Sequence, residues 1–216
     1  MHVTSPSGTD VKVDISTRKA FSDDGDFTQN GSGGNIPAGE VYISPVVGKT
    51  EGKIVFDGSI SLTSKDMLVK NPVCLEIENG FITKVYSAGQ NPDLPPQKNS
   101  EAKKLLDCIT EAETSAIQRE KEGKIPAGTG EVLKRNARNI GELGIGLNPK
   151  AKITGNMLED EKAFRTCHFA IGQNYDGDAN ALIHLDCLVK NPTIVAFYKD
   201  GSSKTILSNG NLVCTK

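Results

Sequence analysis

The sequence predicts an α+β fold built mainly from twisted antiparallel β-sheets, with one long helix and one or two shorter ones. Three observations predict this class. The chain has 22 glycines and 10 prolines in 216 residues, which is more breaks than a helical bundle tolerates. Short β-branched runs lie between these breaks. One stretch near the middle, rich in Ala, Glu, Lys and Leu, has instead the apolar spacing of a helix.

Five strands are predicted ahead of residue 100, each a β-branched run between turn residues. The last two are joined by Glu78-Asn79-Gly80, and an Asn-Gly pair favours the tight turn of a β-hairpin. The predicted strands are Val11–Ile15, Val41–Ser44, Lys53–Phe56, Val73–Ile77 and Ile82–Tyr86.

Two helices are predicted in the middle of the chain. The first runs from Ser100 to Lys121, where apolar residues recur every three or four positions. We expect this segment, residues 100–121, to be a helical insert packed outside the sheets. The second helix is predicted from Glu131 to Ile140, because Gly128-Thr129-Gly130 offers a start.

The last third of the chain returns to strands. Lys199-Asp200-Gly201 predicts a second hairpin, and Thr166–Gly172 has a strand's alternation if it is extended. The predicted strands are Leu143–Leu147, Ile183–Val189, Ile194–Tyr198 and Thr205–Leu207.

Composition excludes several classes of protein. Lys and Arg number 25 against 27 Asp and Glu, so there is no basic excess to bind nucleic acid. Mean hydropathy is −0.33, and no apolar run approaches the roughly 18 residues of a membrane span. Five widely spaced cysteines, without a C-x-x-C pair, argue against a disulfide framework or a structural zinc site. No signal-peptide pattern begins the chain, so we expect a reduced, cytoplasmic protein that binds neither nucleic acid nor membrane.

Polar residues alternate with apolar ones in four predicted strands. His184 and Asp186 are two positions apart, so one strand face carries an imidazole and a carboxylate. His168, Glu142 and Glu40 each lie opposite an apolar face in the same way. Glycines share the face of Glu142 and leave space beside its carboxylate. Such a residue is ordinarily the solvated side of a half-buried strand, and that reading stays open for each carboxylate alone.

The two interior histidines favour a metal site. The chain has three histidines, and His168 and His184 stand with Asp186 as the usual ligand set for Zn(II), Fe(II), Mn(II) or Co(II). If Glu40 and Glu142 join them, two divalent ions and a bridging hydroxide balance the charge of the three carboxylates. The charge balance therefore predicts a paired-metal centre.

Four sequence blocks resemble the thermophilic metallo-aminopeptidase family, the aminopeptidase T and aminopeptidase S type, and within it the archaeal-style leucyl aminopeptidase branch. They occur in the family's order and cover most of positions 11 to 200. The blocks are Gly34-Asn35-Ile36-Pro37-Ala38-Gly39-Glu40-Val41, Asn139-Ile140-Gly141-Glu142-Leu143-Gly144-Ile145-Gly146, Leu158-Glu159-Asp160-Glu161-Lys162 followed by His168-Phe169-Ala170-Ile171-Gly172, and His184-Leu185-Asp186.

The resemblance implies a metal-dependent aminopeptidase that uses two divalent ions, Zn, Co or Mn, to hydrolyse N-terminal residues from a peptide substrate, and it implies a homodimer. Residues 1–216 would form one catalytic domain, equivalent to the C-terminal part of the family's two-domain architecture, without the preceding α/β domain. Glu142 would bridge the ions and Tyr175 would donate a hydrogen bond to the intermediate. Asp160 and Glu161 would support the ligands or form a helix N-terminal charge cluster. The implied ligands are Glu40, Glu142, His168, His184 and Asp186.

Two alternatives remain open. The 2,5-dihydroxypyridine dioxygenases resemble the same fold family but use one Fe(II), which here would be held by His168, His184 and Asp186. The presence of Glu40 and Glu142 argues against this alternative. The other alternative is a non-catalytic metal-binding or assembly module, which the lack of the preceding α/β domain would favour.

Overall fold

A computed structural model describes residues 1–213, and within them fifteen strands form two sheets, accompanied by three helices. The strands of the first half are β1 His2–Thr4, β2 Asp10–Val13, β3 Phe21–Asp23, β4 Glu40–Ile43, β5 Thr50–Phe56, β6 Ser59–Ser61, β7 Asp66–Leu68, β8 Val73–Glu78 and β9 Phe81–Ser87. The remaining elements are α1 Glu101–Lys121, α2 Thr129–Asn136, β10 Ile140–Gly146, α3 Met157–Asp160, β11 Thr166–Gly172, β12 His184–Lys190, β13 Thr193–Phe197, β14 Ser203–Ser208 and β15 Asn211–Leu212.

Every pair of neighbouring strands in the described residues is antiparallel. The eight-stranded sheet has the order β15-β14-β13-β1-β2-β5-β8-β9. The seven-stranded sheet has the order β3-β4-β10-β11-β12-β6-β7. In the second sheet, β4 from early in the chain lies beside β10 from its second half. This pairing brings residues near position 40 next to residues near position 142.

A single hydrophobic cluster joins the two sheets and α1. Val11 and Phe56 come from the eight-stranded sheet, Phe169 and Cys187 from the seven-stranded sheet, and Ile109 from the helix, all fully buried. Fully burying a large apolar side chain contributes about 1.5–3 kcal/mol. The cluster therefore fixes the two sheets and the helix relative to one another.

The long helix α1 confirms the prediction for residues 100–121. It begins at Glu101 because Ser100 is its N-cap, and the Ser100 hydroxyl oxygen accepts a hydrogen bond from the backbone N–H of Lys103 at 3.1 Å. One face is buried, as the apolar spacing predicts. The buried residues are Ala102, Leu105, Cys108, Ile109, Ala112 and Ala116.

The second helix is shorter than predicted. It ends at Asn136, and Ile140, the predicted last residue of the helix, is the first residue of β10. The backbone N–H of Ile140 donates to the carbonyl of Gly80 at 3.1 Å, so tertiary pairing with the β8–β9 turn ends the helix. Local propensity could not reveal that pairing.

The predicted fold class and all nine predicted strands are confirmed, with ends within three residues, and Thr166–Gly172 is extended as well. Both central residues of the β8–β9 turn have positive φ, 51° at Asn79 and 81° at Gly80, as the tight hairpin turn requires. The strands that sequence analysis missed are only two or three residues long, too short to show alternation. They are β1, β3, β6, β7 and β15.

Four cysteines, Cys74, Cys108, Cys167 and Cys187, are buried free thiols, so residues 1–213 contain no disulfide. Cys214 lies outside the described residues. In the same range no helix combines the length and the apolar character that a bilayer crossing requires.

Candidate metal centre

One face of the seven-stranded sheet carries a group of polar side chains. Directly opposite residues of an antiparallel pair have their side chains on the same face. Glu142 of β10 and Asp186 of β12 both lie opposite Ala170 of β11, so two carboxylates flank one methyl group. His168 and His184 are two positions from Ala170 and Asp186, respectively, and alternation therefore places both imidazoles on this face too.

The first two strands of the sheet extend the same face on the other side of β10. Glu40 and Tyr42 of β4 lie opposite Gly146 and Gly144 of β10. Asp23 of β3 lies opposite Glu40. Five strands therefore contribute polar side chains, and the glycines of β10 leave the space into which those side chains project.

Gly144 is required by the position of one imidazole. A β-carbon at this residue would lie 2.0 Å from Nε2 and 2.2 Å from Cε1 of His168. The imidazole therefore rests directly on the glycine backbone. The sequence predicted that glycines leave space beside Glu142, and it is a histidine ring that fills this space.

His168 is fully buried and faces two carboxylates. Its Nε2 lies 2.9 Å from Oε1 of Glu142 and 3.4 Å from Oε2 of Glu40. Burial lowers the pKa of His168, but the hydrogen bond and charge of Glu142, with the charges of Asp186 and Glu40, outweigh burial and raise this pKa to about 10. The ring is therefore held in a strongly negative environment.

His184 faces the same carboxylates from β12. Its Nε2 lies 3.4 Å from Oδ1 of Asp186 and 3.7 Å from Oε2 of Glu142, while Nδ1 lies 2.8 Å from the carbonyl oxygen of Gln173. Burial lowers the pKa of His184, but the close contact and charge of Asp186, followed by the charge of Glu142, raise it to about 9. Burial raises the pKa of Asp186, but the close contact with His184 and its charge outweigh burial and lower this pKa overall.

A buried lysine lies beside the histidines. The Lys162 side chain has no exposed surface, and its Nζ donates to Oε1 of Glu40 at 2.7 Å and to Oε1 of Glu161. Oδ2 of Asp23 is 3.9 Å away. Burial lowers the pKa of Lys162, but the hydrogen bonds to Glu161 and Glu40 raise it overall. Burial, followed by the charge of Asp186, raises the pKa of Glu161 to about 7.

The cluster leaves carboxylate oxygens without partners. Oε2 of Glu40, Oε2 of Glu142 and Oδ1 of Asp186 are buried and make no hydrogen bond within residues 1–213. A buried carboxylate oxygen without a partner is costly unless a cation compensates it. One ligand atom each from Glu142, His168 and Asp186 lie within 4.8 Å of one another, close to the spacing around an ion bound at roughly 2.0–2.2 Å. These residues fit a metal ion.

A second group of possible ligands shares His168 with the first. It consists of Glu40, Glu161 and His168, with ligand atoms again within 4.8 Å of one another. Both of its carboxylates hydrogen-bond to Lys162, whereas Glu142 and Asp186 of the first group do not. The carboxylates of Glu142 and Asp186, which do not contact this lysine, are therefore better available to a metal than those of Glu40 and Glu161.

Aromatic rings line the mouth of the site. Phe21 and Tyr42 stack with centroids 5.5 Å apart, Tyr42 and Tyr175 are 5.2 Å apart, and Tyr175 stands edge-on to His184 at 5.2 Å. Burial and the charge of Glu142 raise the pKa of Tyr175, so its hydroxyl keeps its proton. The cavity between these rings and the carboxylates has a volume of about 60 Å³.

The structure brings the predicted ligands and Tyr175 into one site. Asp160 lies elsewhere: its carboxylate accepts hydrogen bonds from the backbone N–H groups of Thr154 and Gly155 and so supports that loop. Glu161 was predicted to support the ligands or to form a helix N-terminal charge cluster, and it lies within the site itself. The predicted ligands found there are Glu40, Glu142, His168, His184 and Asp186.

Sequence reasoning missed several residues of the site. Tyr42 could have been found, because it is two positions from Glu40 in a predicted strand and must share its face. Lys162 could not, since it follows the single turn α3 and no alternation reveals its burial. Asn35, whose side-chain amide donates to Glu161 at 3.4 Å, comes from the loop between β3 and β4.

One family model matches the chain, and it describes a dioxygenase. Residues 1–94 match the model described as NicX, 2,5-dihydroxypyridine 5,6-dioxygenase. No curated protein sequence matches the chain.

The solved structures that are similar to this one include a dioxygenase and AmpT. The 2,5-dihydroxypyridine dioxygenase from Pseudomonas putida KT2440 has a TM-score of 0.71 and 23% sequence identity, over 100% of this chain and 55% of that chain. The wild-type AmpT from Thermus thermophilus has a TM-score of 0.63 and 19% identity, over 99% of this chain and 49% of that chain. The chain thus spans about half the length of both proteins, and both likenesses show the fold.

The predicted aminopeptidase activity is wrong, and the assignment as a hydrolase or protease falls with it. The predicted likeness of fold to aminopeptidase T is confirmed by AmpT. The family model that matches is a dioxygenase model, however, and the dioxygenase structure has the higher TM-score of the two. The sequence blocks misled because two histidines and several carboxylates serve hydrolytic and oxidative metal centres alike.

Proposed function

We propose that this chain carries the metal centre of a ring-cleaving dioxygenase acting on a 2,5-dihydroxypyridine, with one Fe(II) held by His168, His184 and Asp186. The observation that carries the proposal is that these three side chains share one sheet face, in a chain whose residues 1–94 match a dioxygenase model. Ligand atoms of His168 and Asp186 lie within 4.8 Å of each other, and His184 Nε2 lies 3.4 Å from Oδ1 of Asp186. Two histidines and one carboxylate, with open positions, are typical of non-haem Fe(II) oxygenases.

The ligand atoms that face the site support this assignment. His184 is bonded through Nδ1 to a backbone carbonyl, so its Nε2 is available. Nε2 of His168 points at the carboxylates, and Oδ1 of Asp186 has no hydrogen-bond partner among the described residues. When bound at such a site, Fe(II) supplies the redox chemistry by which dioxygen is inserted into an aromatic ring.

Glu142 has the position of a proton acceptor for the substrate. Its Oε1 lies 2.9 Å from Nε2 of His168, while Oε2 is buried and unpartnered. A hydroxylated ring that approaches the metal through its oxygen must release the hydroxyl proton, and a positioned carboxylate can take it. We assign Oε2 of Glu142 as the atom that accepts this proton.

The size of the cavity favours binding of the ring at the mouth of the site. A volume of about 60 Å³ is far below the roughly 300–1,000 Å³ of a small-molecule pocket, and one water takes about 30 Å³. The cavity therefore accommodates an ion and a water but not a six-membered ring. A planar ring outside it would lie against Tyr42 and Tyr175, and the Tyr175 hydroxyl, which keeps its proton, can donate to it.

Iron content and oxygen uptake test the proposal together. We expect the protein loaded with Fe(II) under argon to hold about one iron per chain by elemental analysis. It should then consume oxygen when 2,5-dihydroxypyridine is added, with loss of the ring absorbance. His184→Ala should lose both iron and oxygen uptake. The matched control is His2→Ala, because His2 lies in the eight-stranded sheet and pairs only with Asp10.

Two results would contradict the proposal. Two ions per chain without oxygen uptake would exclude a mononuclear dioxygenase. Failure to bind Fe(II), Zn(II) or Co(II) under any loading condition would favour the non-catalytic module instead.

A further inference from the structure

The loop between β11 and β12 orients one of the two histidines. Nδ1 of His184 lies 2.8 Å from the carbonyl oxygen of Gln173, the first residue of that loop. A carbonyl only accepts hydrogen bonds, so in the neutral ring Nδ1 carries the proton and Nε2 is the ligating atom. The same loop presents Tyr175, whose ring stands 5.2 Å from that of His184. The position of this loop therefore decides where both side chains point.

An arginine from the other end of the chain holds this loop. Arg18, between β2 and β3, donates from Nη2 to Oδ2 of Asp178 at 2.7 Å and to the carbonyl oxygen of Pro45 at 3.3 Å. Its Nη1 lies 3.7 Å from Oδ1 of Asp176. The Arg18 side chain is only 10% exposed, whereas that of Asp178 is 49% exposed, so water reaches their contact from the Asp178 side. Arg18 thus connects three segments that are far apart in the sequence.

The connection continues inside the loop to Gln173. Oδ1 of Asp178 accepts a hydrogen bond from the Asn174 amide at 2.5 Å, and the Asn174 amide oxygen accepts from the backbone N–H groups of Gly177 and Ala179. Asn174 directly follows Gln173. An unbroken series of contacts therefore leads from the Arg18 guanidinium to the carbonyl that holds His184.

We propose that Arg18 is a positioning residue for the metal centre, acting through Asp178 and the Gln173 carbonyl on the imidazole of His184. The inference rests on the proposed function for the role of His184 as a ligand. A planar guanidinium suits this role because its fork reaches two carboxylates and a carbonyl at once, which an ammonium cannot do. Outer partners of metal-ligating histidines typically change metal affinity by about 10- to 100-fold when removed.

Metal affinity is the first measurement. We expect Arg18→Met to weaken Co(II) binding about 10-fold in a direct titration, and Asp178→Asn to do the same. Arg18→Lys should recover part of the loss, because an ammonium can still pair with Asp178. The double variant Arg18→Met, Asp178→Asn should bind no more weakly than either single variant, since both remove the same contact.

Histidine NMR gives a readout that general destabilisation would not move. The chain has three histidines, so protein labelled with ¹⁵N at histidine and loaded with Zn(II) gives three resolvable ring systems. We expect the wild type to show His184 in a single tautomer with the proton on Nδ1. In Arg18→Met this signal should broaden or split while that of His2 is unchanged.

Arg138→Met is the matched control. Arg138 makes a similarly half-buried ion pair with Glu113, at 2.5 Å between Nε and Oε1, but it joins α1 to the segment before β10. This variant should lose stability yet keep its Co(II) affinity and its His184 signal. Wild-type Co(II) affinity in a folded Arg18→Met, or an equal loss in Arg138→Met, would overturn the inference. Should Arg18→Met not fold, Asp178→Asn and Arg18→Lys decide on the same readouts.

The experiment separates this inference from the proposed function. Co(II) affinity and the His184 tautomer do not depend on oxygen chemistry. If the wild type takes up no oxygen with the dihydroxypyridine, the proposed function fails, while the differences among the Arg18 variants still test the positioning role.

Discussion

Two rows of charged side chains cross the molecule, one in each sheet, and they differ in burial. In the eight-stranded sheet, Lys53, Glu76 and Lys84 lie opposite one another on β5, β8 and β9. Lys84 Nζ is 3.5 Å from Glu76 Oε2, and these two side chains are 37% and 32% exposed. Water and salt screen this row, and exposed pairs of this kind add little to stability.

In the seven-stranded sheet the corresponding row is buried. Asp23, Glu40, Glu142 and Asp186 lie on one face with the histidines, and the only lysine among them in the described residues, Lys162, has no exposed surface. Taking charges out of water costs several kcal/mol per ion unless they are paired. The comparison teaches that a row of charged side chains on a sheet needs little compensation when it is exposed, whereas a buried row favours a compensating cation.

The largest expected effect is a loss of stability when a charge of the buried row is removed. We expect Lys162→Met to lower the free energy of unfolding by about 3–5 kcal/mol, because it leaves Glu40 and Glu161 buried without their common partner. Urea unfolding followed by circular dichroism measures this change. The matched variant Lys84→Met, in the exposed row, should unfold like the wild type. Equal losses in the two variants would show that burial does not distinguish the rows.

The next effect concerns the space beneath His168. Gly144→Ala places a β-carbon 2.0 Å from the present position of Nε2, so the imidazole must move out of the site. We expect metal affinity to fall about 100-fold or more, as measured by Co(II) titration. Gly33→Ala is the control, because nothing lies within 4 Å of a β-carbon there. A Gly144→Ala protein that binds Co(II) as tightly as wild type would contradict the site geometry.

The third effect is a dependence of stability on pH. After removal of metal by a chelator, His168 and His184 have pKa values of about 10 and about 9, above the roughly 6.5 of the unfolded chain. Their protonation therefore stabilises the fold fully below pH 6.5, and the stabilisation is lost as pH rises through 9 to 10. We expect the Tm of stripped protein to fall between pH 7 and pH 10, by roughly 2–4 °C for each kcal/mol lost.

The control for this pH dependence uses the histidines themselves. His168→Gln should flatten the fall in Tm, whereas His2→Ala, in the eight-stranded sheet, should leave it unchanged. A fall that is as steep in His168→Gln as in wild type would assign the pH dependence to other groups.

The smallest effect concerns the ring at the mouth of the site. We expect Tyr42→Leu to raise the KM for 2,5-dihydroxypyridine about five-fold with little change in kcat, because an aromatic contact is worth about 0.5–1.5 kcal/mol. Phe197→Leu, an aromatic residue 62% exposed on β13, is the control and should leave KM unchanged. A decrease in kcat with an unchanged KM would show that Tyr42 acts in the chemical step rather than in binding of the ring.

Alternation of polar and apolar residues in the strands predicts many residues of the site but not all of them. His184 and Asp186 share a face in any strand, and the same rule covers Glu40 with Tyr42. The rule works because the side-chain period of a strand is two, whatever lies beside it. It says nothing about Lys162, which follows a one-turn helix, or about Arg18, whose partner Asp178 lies 160 positions away. It also did not distinguish oxidative from hydrolytic chemistry, which share ligand types.

The sequence by itself determined the fold class and the longer elements of this protein: an antiparallel α+β fold, the long helix that begins after Ser100, and the strands that carry each candidate ligand on a polar face. The tertiary structure decides which strands are neighbours, and this strand order brings the residues of the site together. Only the pairing of β4 with β10 brings Glu40 beside Glu142, and only the lack of a side chain at Gly144 admits His168 between them. The period of a strand or helix sets the direction in which a side chain points. Long-range packing sets which residues it contacts and how deeply it is buried. Burial in turn shifts its pKa and determines whether its charge needs a partner.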